Sequence, residues 1–141
     1  MKGLLTLIKL SKRTLDELRR KMVSLESQKA QLQQTSARLQ AELNHEMVMA
    51  GKQPEMSSFF GGFAKRIQKR QEEIALEISK LDKEMMKLRD DITAAFGELK
   101  KYEIALENSK KRAAEEQNRK DTIMLDEVAS QQHRRKEAEN K

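Results

Sequence analysis

The residues of this sequence that could support catalysis or metal binding are few and scattered. The two histidines, His45 and His133, lie in different halves of the chain, and there is no cysteine. His45 is followed by Glu46, but the second histidine of a helical zinc motif is missing. The stretch GGFAKR at residues 61–66 lacks the GxxxxGK[ST] spacing of a phosphate-binding loop. The sequence therefore predicts no active site, no metal and no cofactor.

Side chains suited to binding a protein partner cluster in the segment TIMLDEVASQQHRRK, residues 122–136. Its apolar residues recur at a spacing that places them on one face of a helix: Met124, Leu125, Val128 and Ala129. Two basic side chains, Arg134 and Arg135, follow. An apolar helix face beside positive charge predicts a docking surface. The alternative is a frayed helix end that carries a few chance apolar residues.

Two heptad patterns indicate the elements that position this segment. Leucine recurs every seven residues from Leu18 to Leu39, and a second, partly polar row lies three residues before it. The pattern extends to three further residues: Leu4, Ile8 and Leu43. Beyond residue 63, one apolar row runs from Ile67 to Tyr102 and another from Ile78 to Ala113. Charged residues make up 37% of the chain and aromatic residues 4%, so a thick globular core is excluded. The sequence predicts an all-α coiled coil.

A break between the two patterns, GKQPEMSSFFGG at residues 51–62, contains the only proline and three of the five glycines. Gly51 suits a left-handed helix cap, Pro54 stops the first helix, and Ser57 or Ser58 is placed to cap the second. This arrangement predicts a long antiparallel two-helix coiled-coil hairpin, with arm one at 4–50, the turn at 51–62 and arm two at 63–113. The alternative is a dimer in which two chains pair along their full lengths.

Residues 114–141 are predicted to project from this hairpin as a C-terminal helix. Folding the chain back at the turn brings Met1 opposite roughly Arg112, where the second heptad pattern fades. The remaining residues contain neither glycine nor proline. They would form a helix on the order of 40 Å long. The apolar cluster at Leu125 then has no partner within its own chain.

The formal net charge of +6 is concentrated toward the ends of the chain. Residues 1–21 carry seven Lys or Arg against two acids, and we expect Lys12, Arg13, Arg19 and Arg20 to contact a partner. Nucleic acid is not the expected partner, because basic residues alternate with acids and aromatic residues for base stacking are nearly absent. A nucleic-acid-associated coiled coil and a purely architectural dimer remain the alternative functions.

Membrane association is an alternative role for the same end of the chain. Leu4, Leu5 and Ile8 oppose basic residues such as Lys9, which is the pattern of a helix lying on a lipid surface. The heptad seam requires the same apolar residues, so the sequence favours the seam. No stretch approaches the ~20 apolar residues that span a bilayer, and GLLTLI is too short for a secretory signal. The sequence therefore predicts a cytoplasmic protein.

Three of the four phenylalanines lie at the predicted turn: Phe59, Phe60 and Phe63. The favoured interpretation is that they close the end of the hairpin by packing on nearby methionines: Met47, Met49 and Met56. The alternative is an exposed aromatic tip that inserts into a partner.

In layout the chain resembles the FliJ family of flagellar type III export and its injectisome counterparts. The shared features are the length, the hairpin with a short turn, the basic N-terminal arm, and an LDExA stretch followed by basic residues. Leu125, Asp126, Glu127 and Ala129 match that stretch.

The resemblance implies a non-enzymatic component of the export apparatus, peripheral at the inner face of the cytoplasmic membrane when assembled. It also implies that the joined termini sit in the pore of a hexameric export ATPase and promote its activity. The partners it implies besides the ATPase are the export gate in the membrane and the export chaperones.

Overall fold

Two long α-helices make up nearly all of the protein. The computed structural model describes residues 2–53, 55 and 57–140. Helix α1 spans Lys2–Lys52 and helix α2 spans Ser57–Glu139, and none of the described residues forms a strand. The two helices pack against each other, so the predicted all-α helical hairpin is confirmed.

The chain divides into two compact units. We call residues 13–96 the hairpin unit, and residues 2–12 together with 97–140 the terminal unit. Each unit contains a stretch of both helices.

Polar contacts show the antiparallel direction of the helices within the hairpin unit. Lys29 Nζ lies 2.7 Å from Asp82 Oδ1, and Gln71 Nε2 donates a hydrogen bond of 3.1 Å to Gln40 Oε1. The eleven residues from Lys29 to Gln40 on α1 therefore correspond to an equal step backward on α2, from Asp82 to Gln71. Gln71 Nε2 also lies 3.4 Å from the carbonyl oxygen of Ser36, so polar contacts recur within the mainly apolar seam.

The core is the heptad seam that the sequence predicts. Every buried hydrophobic residue of the described chain occupies one of the predicted seam positions. Four of them form a cluster in the hairpin unit, against which Leu18, Leu81 and Ile92 pack: Met22, Leu25, Met85 and Leu88. Because two helices bury only one stripe each, the rest of each helix surface stays accessible.

The turn is shorter than predicted, and the predicted glycine cap is wrong. Helix α1 continues through Gly51 to Lys52, and no described glycine has a positive φ. The amide of Gln53 still donates to the carbonyl of Met49 at 3.0 Å, so the helical hydrogen-bond pattern persists without a left-handed residue. Ser58 lies inside α2 and does not cap it. The roles predicted for Pro54, Met56 and the Ser57 side chain fall outside what the structure describes.

The terminal unit buries Ile8 of α1 and Leu99 of α2. Half-buried residues continue along α2 to Ser109, and every residue from 110 to 140 is exposed. Ala113, predicted as the last residue of the seam, is therefore outside it, and the exposed stretch begins four residues earlier than predicted. The reason is length, because α1 contributes only residues 2–12 to this unit and covers a matching length of α2. We call residues 110–140 the exposed segment.

Within the residues that the structure describes, no helical stretch is both long and apolar enough to cross a membrane.

Two neighbouring residues of α2 test the contribution of the seam to stability. Ile74 is 1% exposed and Leu76 is 66% exposed. Changing Ile74 to Ala should lower the free energy of unfolding by about 2–4 kcal/mol, because it removes buried apolar atoms and leaves a cavity. The matched change of Leu76 to Ala should shift it by about 0.5 kcal/mol or less. Urea unfolding followed by circular dichroism measures both, and equal effects would contradict the assignment of the seam.

Candidate functional site

The exposed segment carries the predicted docking residues on a continuous helix. Met124 and Leu125 are 66% and 68% exposed, and Val128 and Ala129 are also exposed. The regular helix holds these side chains on one face, as the spacing predicts. The structure therefore presents large apolar side chains that no described residue covers. Burying each would contribute about 1.5–3 kcal/mol to binding.

Charges within the exposed segment are partly paired with one another. Arg119 Nη2 lies 2.6 Å from Glu116 Oε1, and His133 Nε2 lies 3.2 Å from Glu137 Oε1. Arg134 and Arg135 are exposed and form no ion pair with any described residue. Their positive charge is available to an acidic partner.

The predicted basic contacts of α1 do not belong to one unit. Lys12 lies in the terminal unit, whereas Arg13, Arg19 and Arg20 lie in the hairpin unit. Arg19 and Arg20 border a shallow depression on α1, together with Asp16 and Val23. All four basic residues are exposed.

The aromatic residues near the turn form a groove instead of a closed plug. Phe59 is 74% exposed, and Met47 is also exposed, so the favoured interpretation of closure is wrong for these two residues. Extending the heptads of α2 backward from Ile67 explains this, because Phe60 takes a seam position and Phe59 falls outside it. Phe60 and Phe63 are half-buried. The residues that line the groove include Met49, Phe59, Phe60 and Phe63, with His45, Glu46 and Arg66 beside them. We call this surface the tip groove, and its volume is about 530 Å³.

The start of α2, which forms one side of the tip groove, is basic. Residues 57–71 contain four basic side chains and no acid. One of them is Arg70, whose Nη1 lies 3.4 Å from Glu73 Oε2 and 3.4 Å from Glu77 Oε1. The other three form no ion pair among the described residues: Lys65, Arg66 and Lys69. Of these three, Arg66 lines the tip groove, where Glu46 of α1 supplies a negative charge beside the apolar lining.

The leucines near the start of α1 divide into seam residues and exposed residues. The seam buries Ile8 and half-buries Leu4, but Leu5, Leu7 and Leu10 are exposed. The sequence predicts that the seam uses Leu4, Leu5 and Ile8. This prediction is wrong for Leu5. The available signal was the density of apolar residues between positions 4 and 10, which exceeds what a heptad seam uses.

One titratable group of the terminal unit has a shifted pKa. Tyr102 Oη donates a hydrogen bond of 2.8 Å to Glu98 Oε1. This hydrogen bond, together with some desolvation and the nearby negative charge, raises the pKa of Tyr102 above its ordinary value of 10.0. The pair is an (i, i+4) contact on one helix, and nothing about it indicates catalysis.

Among the described residues, no group of three or more His, Asp or Glu lies close enough to hold a metal ion. The surfaces described above are helix faces and shallow depressions, among them the tip groove. Together with the fold, they define a coiled-coil hairpin protein.

The chain belongs to the FliJ family. The family model described as "Flagellar FliJ protein" matches residues 1–138, so the resemblance predicted from the sequence is confirmed. The chain matches no curated protein and no solved structure. Membership makes the protein a component of the flagellar export apparatus, a structural role in protein transport.

The single tyrosine allows the Tyr102–Glu98 pair to be tested directly, since the chain has no tryptophan. Because the pKa of Tyr102 is raised, its hydrogen bond contributes below pH 10.0 and is lost as pH rises through the raised pKa. Changing Glu98 to Gln should lower the pH at which tyrosinate absorbance appears. Glu103 to Gln is the matched control. Glu103 Oε2 lies 3.5 Å from Lys100 Nζ, whereas Glu98 accepts the hydrogen bond from Tyr102. An unchanged titration in the Glu98 variant would refute the assigned cause.

Proposed function

We propose that the protein is a stalk-like, non-enzymatic component that docks its terminal unit in a hexameric export ATPase and promotes its activity. In this role it also links the ATPase to the export gate of the membrane and handles export chaperones. It works in the cytoplasm, peripheral to the inner face of the cytoplasmic membrane when the apparatus is assembled. Family membership supports the export role. The exposed surfaces of this chain support the assignment of partner contacts to particular residues.

The observation that carries the proposal is the exposure of α2 from residue 110 to residue 140. The side chains of Met124, Leu125 and Val128 are exposed in the free protein and so contribute little to the stability of the helix. Binding in the central opening of a ring would surround the helix and bury them at once. Burial inside a partner therefore accounts for apolar side chains that the fold itself does not use.

Positive charge supports the same assignment. Arg134 and Arg135 follow the apolar face and are free of ion pairs with the described residues. Lys12 adds a basic side chain on the α1 part of the terminal unit. A ring opening lined by acidic side chains would attract these groups and speed association in a salt-dependent manner.

Replacing Leu125 and Val128 together with Ser tests this docking face. The melting temperature should stay nearly unchanged, because both side chains are exposed in the free protein. Stimulation of the cognate ATPase should require about a hundredfold more protein, which corresponds to about 3 kcal/mol of lost burial. The matched control is Leu76 to Ser with Met86 to Ser, two exposed residues of the hairpin unit. A large loss of stability with stimulation intact would mean that the cluster packs on its own chain.

The charge at Arg134 and Arg135 is tested in the same assay. Changing both to Glu should weaken stimulation, and the difference from the original protein should shrink as salt is raised. A loss that does not depend on salt would contradict an electrostatic role.

We further infer that the tip groove contacts the cytoplasmic part of the export gate. An exposed Phe59 over an apolar groove, with Arg66 and Glu46 at its lining, fits a partner that presents an apolar side chain with polar groups beside it. The terminal unit and the tip groove would then serve different partners.

Changing Phe59 to Ser separates the two proposed surfaces. Binding to the purified cytoplasmic part of the gate should weaken about tenfold or more, because a central aromatic contact is removed. ATPase stimulation should be unaffected. Leu76 to Ser again serves as the control for an exposed apolar residue elsewhere on α2. If Phe59 to Ser abolishes stimulation while gate binding persists, the assignment of the two surfaces is wrong.

A further inference from the structure

The first three turns of α1 present an exposed apolar face that neither the seam nor the proposed docking residues use. Leu7 and Leu10 are 40% and 52% exposed. They are three residues apart and so lie on the same side of the helix. Gly3 is on this side too, and a side chain added there would meet nothing within 4 Å. We call Leu7 and Leu10 with the flanking Lys2 and Lys9 the N-terminal face.

We propose that the N-terminal face binds the surface of an anionic lipid bilayer, with Leu7 and Leu10 entering the headgroup region and Lys2 and Lys9 contacting phosphates. Residues 2–12 belong to the terminal unit, so this binding is assigned to the protein while it is not docked in the ATPase, and it does not depend on the proposed contacts with the ATPase or the gate.

Geometry supports a helix that lies in the plane of a bilayer surface. At 3.6 residues per turn, Lys2 and Lys9 are each about a quarter turn around the helix from Leu10. Long lysine side chains at such a position extend toward the headgroups while the leucines face the acyl chains. Both lysines are exposed in the structure.

Charge indicates an anionic surface as the occupant. Residues 2–12 contain three lysines and no acid. The acids on the neighbouring part of α2 are each paired with a lysine, so they do not cancel this charge: Glu98 with Lys101 at 4.0 Å, Glu103 with Lys100 at 3.5 Å, and Glu107 with Lys111 at 3.6 Å.

Other occupants fit the face less well. A second copy of the chain would bring two sets of lysines together without acids between them, and like charges oppose such a contact. Nucleic acid would make use of the lysines but not of the leucines, and the face has no aromatic side chain for base stacking. A bilayer rich in anionic lipid satisfies both the charge and the apolar side chains.

The expected binding is reversible and weak, because two partly exposed leucines bury little area. Each lysine near an anionic surface contributes about a fivefold increase in partitioning. The two leucines together should contribute at least about tenfold. The face is therefore suited to holding the protein near a membrane without anchoring it.

Flotation of the full-length chain with vesicles, in the absence of any ATPase, tests the proposal. Equimolar phosphatidylcholine and phosphatidylglycerol vesicles should carry the protein upward at physiological ionic strength, and pure phosphatidylcholine vesicles should not. Leu7 to Ser with Leu10 to Ser should lower partitioning at least about tenfold. Lys2 to Gln with Lys9 to Gln should lower it by roughly twentyfold.

Matched variants in the hairpin unit control for general loss of apolar surface or charge. Val23 to Ser with Leu76 to Ser removes two exposed apolar side chains. Lys83 to Gln with Lys87 to Gln removes two exposed positive charges. Both control variants should float like the original protein, and circular dichroism should show that every variant keeps its helical content.

Three results would overturn the proposal. The first is no flotation with the anionic vesicles. The second is flotation that the leucine variant does not reduce, which would mean that charge alone holds the protein to lipid. The third is a dimer in sedimentation that is lost in the leucine variant while lipid binding is absent, which would mean that a second copy covers the face. None of these results bears on ATPase stimulation, so the proposed function stands or falls separately.

Discussion

Burial of a single apolar seam between two antiparallel helices is the interaction on which the rest of this structure depends. Every buried hydrophobic residue of the described chain lies in that seam, from Ile8 of the terminal unit to Ile74 of the hairpin unit. Each helix commits one stripe to its neighbour, and the remaining surface must be compatible with water or with a partner. A chain with 37% charged residues meets that demand over most of its surface. Large apolar side chains that are exposed outside the seam depart from this pattern, and their exposure requires an explanation.

Polar side chains within the seam help to select one alignment of the two helices. An apolar seam alone tolerates a shift by one heptad, because leucine and isoleucine are nearly interchangeable partners. The contacts of Lys29 with Asp82 and of Gln71 with Gln40 are satisfied in one alignment. An exposed ion pair contributes only about 0.2–1 kcal/mol to stability. Its second effect is to make shifted alignments of the two helices within the hairpin unit less favourable.

The surfaces proposed for binding share one physical origin, since each contains apolar side chains that lie outside the seam. Leu125 is exposed because no part of α1 reaches that stretch of α2. Phe59 and Leu10 are exposed because they occupy positions that face away from the seam. Basic residues accompany the apolar side chains at all three surfaces. This combination fits the contacts proposed for the protein as a component of the flagellar export apparatus.

The amino-acid sequence by itself determined the all-helical class, the two arms, the seam residues and the apolar face at Met124, Leu125, Val128 and Ala129, because helical periodicity is a local property. It also carried enough of the family pattern for the FliJ resemblance to be recognised. Only the tertiary structure decided which apolar residues are covered, since coverage depends on the length and position of the opposing helix. The structure kept Gly51 helical, placed Ala113 beyond the seam, and left Phe59, Leu7 and Leu10 exposed. A heptad pattern shows which residues can face a partner helix, but the packed helices determine where that partner ends.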